Sequence, residues 1–338
     1  MKNYKTELLN NSKINIEYCS KLLADGEIVG IPTETVYGLA GDALNPEAIK
    51  KIFYAKGRPQ DNPLIVHIAE ISMLDELVTE IPPIALVLAK HFWPGPLTMV
   101  FSKKDIIPLE TCGGLDTVGI RMPAHTLARE IIKACGKPLA APSANISGSP
   151  SPTTAQHVFD DLNGKIPAII DGGSCDVGVE STVISFENGG VRLLRPGFVS
   201  VDDLSEFVPV FVDKGVIAKI DDNSKAMSPG MKYKHYSPKA NVIILDGTLE
   251  QFNNYIAKNY CKNTFCVIFD SEKSSANYPY LTYGDTSEEQ AKQLFDRLRE
   301  LDKIDAKTVY FRCPNKDGVG LAVYNRLLRA AGFEVIKL

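Results

Sequence analysis

The chain has 338 residues, which suits about two domains of ordinary size. Apolar residues make up 44% and charged residues 23%, proportions that exclude disorder, collagen or coiled coil as the dominant state. Lys and Arg number 37 against 41 Asp and Glu, which disfavours a globally basic nucleic-acid binder and leaves room only for a local basic patch.

The seven cysteines are odd in number and form no CxxC pair, so reduced thiols in a cytosolic protein are expected rather than a disulfide framework or zinc ribbon. The N-terminal MKNYKTELLNNSKINIEY lacks the apolar core of a signal peptide. Apolar stretches such as Ile84 to Ala89 fall short of the ~20 residues that span a bilayer. The expectation is a soluble, cytoplasmic protein with no membrane contact.

In chain order, Glu27 to Ile31 reads as a short apolar strand ended by Pro32. A helix follows, with Asn45 as N-cap and Pro46 at its first position, where a missing amide costs nothing. Its apolar residues Ala48, Ile49, Ile52 and Phe53 share one face. Further strands are expected at Leu64 to Ile68, Leu97 to Phe101, Thr117 to Ile120, Leu139 to Ala141 and Ala168 to Ile170. Ser181 to Phe186 and Val191 to Leu194 form the arms of a hairpin turning at Asn188-Gly189-Gly190. Crossovers and a hairpin together imply a mixed sheet.

Residues 209–239 break this rhythm with Pro209, Pro229, Gly230 and Pro238. A connection so long is a linker or a functional lid. Lys225 to Lys239 holds four Lys and no acid, consistent with a solvated tether or with a flap over an anion. A second alternation follows: strands at Val242 to Leu245, Phe265 to Phe269, Thr308 to Phe311 and Glu334 to Ile336, and helices at Leu249 to Tyr260, Glu288 to Lys303 and Leu321 to Ala331. Ala291, Leu294, Phe295, Leu298 and Leu301 make one buried stripe, and Gly332 caps the last helix. The fold class is α/β: a catalytic domain over 1–208, a linker or lid over 209–239, and a smaller, mostly parallel Rossmann-like domain over 240–338.

The usual nucleotide loops, GxxxxGK[ST] and GxGxxG, are missing. Polar residues gather instead at loops of the first domain. Pro32-Thr33-Glu34-Thr35-Val36-Tyr37-Gly38-Leu39 follows a buried strand, where open α/β sheets bind ligands, although Thr33 or Thr35 could equally cap a helix. Lys56-Gly57-Arg58 can converge two cations on one anion, or simply offset a helix dipole. Ala141-Pro142-Ser143-Ala144-Asn145-Ile146-Ser147-Gly148 can turn amides and hydroxyls toward phosphate, or serve as a plain flexible loop. Arg121, Glu180-Ser181 and Arg195 stand beside these. No Cys or Ser is paired with a nearby His, and the five His are scattered, so a phosphate-handling site working by charge and positioning fits better than covalent catalysis.

Three of these stretches, in this order, resemble the signature of the YrdC-like threonylcarbamoyl-AMP synthase family: Pro32 to Leu39, Lys56-Gly57-Arg58, and Ser143-Ala144-Asn145. The linker and second α/β domain resemble that family's longer, two-domain form. The resemblance implies an enzyme, a nucleotidyltransferase, that makes L-threonylcarbamoyl-adenylate and pyrophosphate from L-threonine, bicarbonate and ATP. A downstream tRNA threonylcarbamoyl transferase complex would use the product on tRNAs reading ANN codons, and weak tRNA contact is possible. Magnesium is expected with the ATP, with no metal held by protein side chains. The resemblance assigns Lys56, Arg58, Ser143 and Asn145 to a catalytic tetrad. It assigns Thr35, His67, Arg121, Ala141 and Ser181 to threonine, and Arg58, Asn62, Thr117, Ser143, Ser151, Arg195 and Tyr233, from the lid, to ATP.

Two other readings compete. An RNA-binding or ribosome-assembly module would use the basic lid, but residues 1–200 carry more acids than bases. A carbamoyl-transfer maturation factor is disfavoured because acylphosphatase-like and zinc-finger segments are missing.

Overall fold

The structure, a computed structural model, describes residues 4–187, 189–216 and 236–338. The chain divides into two compact units, Met1–Ser147 with Ser151–Lys232 and Gly148–Pro150 with Tyr233–Leu338. The architecture is mixed α/β, with a large mixed sheet in the first unit and a parallel sheet in the second.

The first unit contains strands β1 (Glu7–Leu9), β2 (Val29–Ile31), β3 (Gly38–Asp42), β4 (Ile65–His67), β5 (Leu97–Ser102), β6 (Thr117–Arg121), β7 (Leu139–Ala140), β8 (Ala168–Ile170), β9 (Thr182–Glu187), β10 (Gly190–Arg195) and β11 (Val210–Val212). They are joined in the order β1-β8-β2-β3-β7-β4-β6-β5-β9-β10-β11. Helices α1 (Lys13–Ala24), α2 (Pro46–Lys56), α3 (Leu74–Leu77), α4 (Pro83–Phe92), α5 (Thr126–Cys135), α6 (Ala155–Leu162) and α7 (Val201–Ser205) accompany the strands. Two apolar clusters form the core. One joins Ile49, Ile52, Val66, Met99 and Ile120, and the other joins Leu23, Ile31, Ile131 and Ile170.

Helix α2 begins as expected: the Asn45 side chain accepts from Glu47 N and Ala48 N, with Pro46 next. It ends at Gly57, whose φ of 61° is left-handed and suits glycine. The expected hairpin is β9 against β10, antiparallel, with Val191 opposite Phe186. Strand β3, with two glycines in five residues, starts inside the stretch expected to be a loop; it is buried throughout and pairs with β2 and β7. Strand β11 lies in the stretch expected to be linker and pairs in parallel with β10, so the sheet continues past residue 208. Residues 217–235, most of the expected linker or lid over 209–239 and Tyr233 with it, lie outside the described residues.

Three junctions gather the site. Strands β4 and β6 run parallel with His67 opposite Arg121, so both side chains leave at neighbouring carboxyl ends. Strand β5 is antiparallel to β6 and parallel to β9, which brings the start of β9 to that same edge. Strand β10 returns antiparallel to β9, so Arg195 ends beside Ser181.

The second unit has strands β12 (Asn241–Asp246), β13 (Thr264–Ile268), β14 (Tyr280–Thr282), β15 (Thr308–Arg312) and β16 (Val335–Lys337), in the order β14-β13-β15-β12-β16. All its pairings are parallel. Helices α8 (Leu249–Asn259), α9 (Ser287–Lys303) and α10 (Val319–Ala330) connect them. The stripe Ala291, Leu294, Phe295, Leu298 and Leu301 is fully buried on α9. A buried ion pair joins Arg312 Nε to Glu272 Oε1 at 2.9 Å, with the guanidinium flanked by the Phe252 and Phe269 rings.

Candidate active site

Pro32 ends β2, and the chain turns before β3 begins at Gly38. Thr33 closes that turn: its Oγ1 accepts from Thr35 N and Val36 N at 3.2 Å each and donates to Val36 O at 2.6 Å. The threonine thus caps a turn rather than a helix. The turn presents Glu34 and Thr35 to Arg121. Arg121 Nη2 lies 2.6 Å from Glu34 Oε1, Nη1 donates to Thr35 Oγ1 at 2.9 Å, and Nε donates to Gly95 O at 3.1 Å. All three side chains are buried.

Burial alone would raise the Glu34 carboxyl, but the Arg121 charge and hydrogen bonds from the Ala124 backbone and Arg121 outweigh it. The net pKa lies below the usual carboxylate range. His67 is pushed down to about 3, first by burial and then by the Arg121 charge. Its imidazole is therefore neutral at physiological pH, and its Nδ1 lies 3.3 Å from Ile65 O. The result is one buried guanidinium paired with one carboxylate, beside a neutral ring.

Ser181 extends this cluster. Its Oγ is 2.8 Å from Thr98 Oγ1 and accepts from Arg195 Nη2 at 3.1 Å, while Arg195 Nε donates to Ser181 O at 3.0 Å. Just before it, Glu180 accepts from Ser151 Oγ at 2.5 Å. Gly197 makes this packing possible, because a Cβ there would lie 2.2 Å from Thr182 N.

The second cluster forms where α2 ends. Lys56 is 2% exposed, too buried for a cation that merely offsets a helix dipole in water. Its Nζ donates to Ser143 O, to Asn145 O at 2.6 Å and, longer, to Asn145 Oδ1 at 3.5 Å. Burial drives the ammonium's pKa well down and the Arg58 charge adds to this, opposed by Asp161 and Glu180. Arg58 Nη2 donates to Pro63 O at 3.1 Å. Lys56, Arg58, Ser143 and Asn145 therefore stand together, and the coupling of Lys56 to Glu180 ties them electrostatically to the Ser151 and Ser181 side.

Of the remaining residues, Ala141 is buried and donates its amide to Ile65 O at 3.0 Å, just behind the Gly38–Ser143 bridge. Asn62 is buried, and its Oδ1 has no hydrogen-bond partner among the described residues. Thr117 opens β6 opposite Ser102, at the end of the strand remote from Arg121. Among the described residues there is no group of three or more His, Cys, Asp or Glu placed to hold a metal ion. The partners given no role from sequence are Glu34, Thr98 and Glu180. Glu34 and Glu180 sit inside stretches already singled out, whereas no local signal marks Thr98, which reaches Ser181 across 83 residues.

The Sua5/YciO/YrdC family model, described as telomere recombination, matches residues 21–197, and the model of the threonylcarbamoyl-AMP synthase C-terminal domain matches residues 199–332. A threonylcarbamoyl-AMP synthase of Pyrococcus abyssi is 44% identical over 329 residues, 96% of each chain. The chain belongs to this family. The Bacillus subtilis threonylcarbamoyl-AMP synthase is 43% identical over 98% of this chain and 97% of its own. Among solved structures, P. abyssi Sua5 complexed with L-threonine superposes with a TM-score of 0.92 at 42% identity, covering 98% of this chain and 100% of that one. Family membership makes this protein an enzyme. No helix among the described residues is long and apolar enough to cross a membrane.

Proposed function

We propose that the protein is an L-threonylcarbamoyladenylate synthase, a nucleotidyltransferase that converts L-threonine, bicarbonate and ATP to L-threonylcarbamoyl-AMP, pyrophosphate and water. The observation that carries this reading is the Arg121 guanidinium, buried and held by Glu34, Thr35 and Gly95 O beside neutral His67. Two of its five donors are hydrogen-bonded to Gly95 O and Thr35 Oγ1, Nη2 is ion-paired with Glu34, and the donors that remain suit a carboxylate. The threonine complex of the P. abyssi relative supports the same ligand here. Thr35, His67, Ala141 and Ser181 would complete the threonine pocket.

Bicarbonate takes up a proton and loses water to give carbon dioxide, and the neutral amine of threonine adds to it, releasing a proton and leaving a carbamate. A carbamate oxygen then attacks the α-phosphorus in line while pyrophosphate leaves. Every participant is anionic, so cations must offset their repulsion and the charge growing on the leaving group. Lys56, Arg58 and Arg195 would supply that charge, and an arriving phosphate would draw the Lys56 pKa back up. Ser143, Asn145, Asn62, Thr117 and Ser151 would orient the nucleotide, with Tyr233 from the lid. Asn62 Oδ1, buried without a partner, supports a donor from the ligand at that position.

Magnesium would arrive with ATP and lend phosphate charge neutralisation. The hydroxyl and amide oxygens of Ser143 and Asn145 fit an ion carried by the nucleotide better than a resident one. The product is an activated acyl group suited to a downstream tRNA threonylcarbamoyl transferase complex acting on tRNAs that read ANN codons, in the cytoplasm.

Exchange of labelled pyrophosphate into ATP tests this reading. Exchange should require threonine and bicarbonate together. Its absence with folded protein and both present, or exchange with ATP alone, overturns the proposal.

A further inference from the structure

The face of α2 opposite Lys56 borders a cavity of about 810 Å³, within the size range of small-molecule sites. Glu47, Lys50, Lys51 and Tyr54 repeat at three and four residues and share that face. Ile49, Ile52 and Lys56 face the interior. The far wall is fixed from both sides: Tyr4 N donates to Gly164 O at 3.2 Å, and its hydroxyl donates to Glu27 Oε2 at 2.8 Å.

The lining charges are unequal. Four cations, Lys50, Lys51, Arg58 and Lys165, face two carboxylates. Both carboxylates are already matched, Glu47 by Lys50 at 2.7 Å and Glu27 by Lys51 at 3.2 Å. The Lys165 side chain has no hydrogen-bond or ion-pair partner among the described residues, so a positive surplus faces the cavity of a chain whose net charge is −4. The lining carries two tyrosines, Tyr4 on the far wall and Tyr54 on the α2 face, and Tyr54 is 65% exposed. Aromatic faces beside cations are the chemistry that takes a planar base joined to a phosphate.

We propose that this cavity binds a nucleotide unit, its base against Tyr54 and Tyr4 and its phosphate near Lys165 and Lys50. The unit is either a free nucleotide or one residue of an RNA strand. Arg58 borders this cavity, and its charge also acts on Lys56. The inference goes beyond the adenylate-forming reaction and does not depend on it.

The test uses the full chain with threonine and without ATP, which would compete for a nucleotide cavity, and variants of the cavity wall separate binding here from binding at the candidate active site. The probes are UMP, read by saturation-transfer NMR, and fluorescein-labelled hexauridylate, read by anisotropy. At least one should bind, more weakly as salt rises. Tyr54→Ala and Lys165→Glu should each weaken it at least tenfold while leaving threonine-dependent pyrophosphate exchange within twofold of wild type. Binding of UMP alone identifies a free nucleotide, and binding of hexauridylate alone an RNA strand. If neither probe binds, or if both variants bind like wild type, the proposal is overturned. Failure of wild-type exchange would count against the adenylate reading alone.

Discussion

Arg58 and Lys56 are adjacent cations in different surroundings, and the difference sets what each can do. Lys56 is buried among carbonyl oxygens, whereas Arg58 is half-buried and carries a planar fork of donors that matches a phosphate. One charge-assisted contact is worth about 1.5–3 kcal/mol, so Arg58→Ala should slow adenylate formation at least tenfold in a protein that still folds. Near-normal rates in that variant would remove Arg58 from the site. His67 makes a prediction of opposite kind. Its folded pKa of about 3 lies below the ordinary 6.5, so the unfolded chain takes up a proton that the folded chain refuses. Stability from this group is complete above pH 6.5 and is lost as pH falls toward 3. Between pH 7 and pH 5 the loss should be about 2 kcal/mol. Urea unfolding of wild type and His67→Gln at both pH values measures it, and the variant's curve should lack this part of the slope. An equal slope in both would show that His67 is not held neutral. Local sequence shows none of this environment, because the burial that chiefly holds His67 neutral is tertiary and the Arg121 charge that adds to it arrives from 54 positions away.

At the scale of elements, local chemistry was legible and long-range pairing was not. Asn45-Pro46 announces α2, and alternating apolar residues around Gly189-Gly190 announce the hairpin, because each signal lies within a few residues of its effect. Strand β3 escaped because Gly38-Leu39-Ala40-Gly41-Asp42 has little strand propensity; tertiary packing overrides it, and a Cβ at Gly38 would already press Ala141 Cβ at 3.0 Å. Gly197 is a clearer case. Its neighbours Thr182 and Ser181 leave no room for a methyl group, so Gly197→Ala must shift the backbone that holds Arg195. We expect a cost of about 1–3 kcal/mol, read as a lower melting temperature, together with weaker ATP affinity. In the second unit, Leu298→Ala should cost about 2–5 kcal/mol by opening a cavity beneath α9. Unchanged melting in either variant would contradict the packing described.

For the molecule as a whole, two alternations of strands and helices separated by an irregular stretch were enough to expect two α/β units. The three motifs were also enough to expect the family. The order of strands in the large sheet was not legible, since a parallel neighbour can lie anywhere later in the chain. Strand β1 illustrates this: Glu7 pairs with Ala168, and no property of either segment names the other.

That pairing has a consequence for synthesis. The first strand made must wait beside a vacant edge until the eighth emerges, and β10 stays open on one side until residues 210–212 follow. Nearly two thirds of the message must be read before the large sheet can close. A growing chain arrested on the ribosome should therefore resist protease only once Val212 has cleared the exit tunnel.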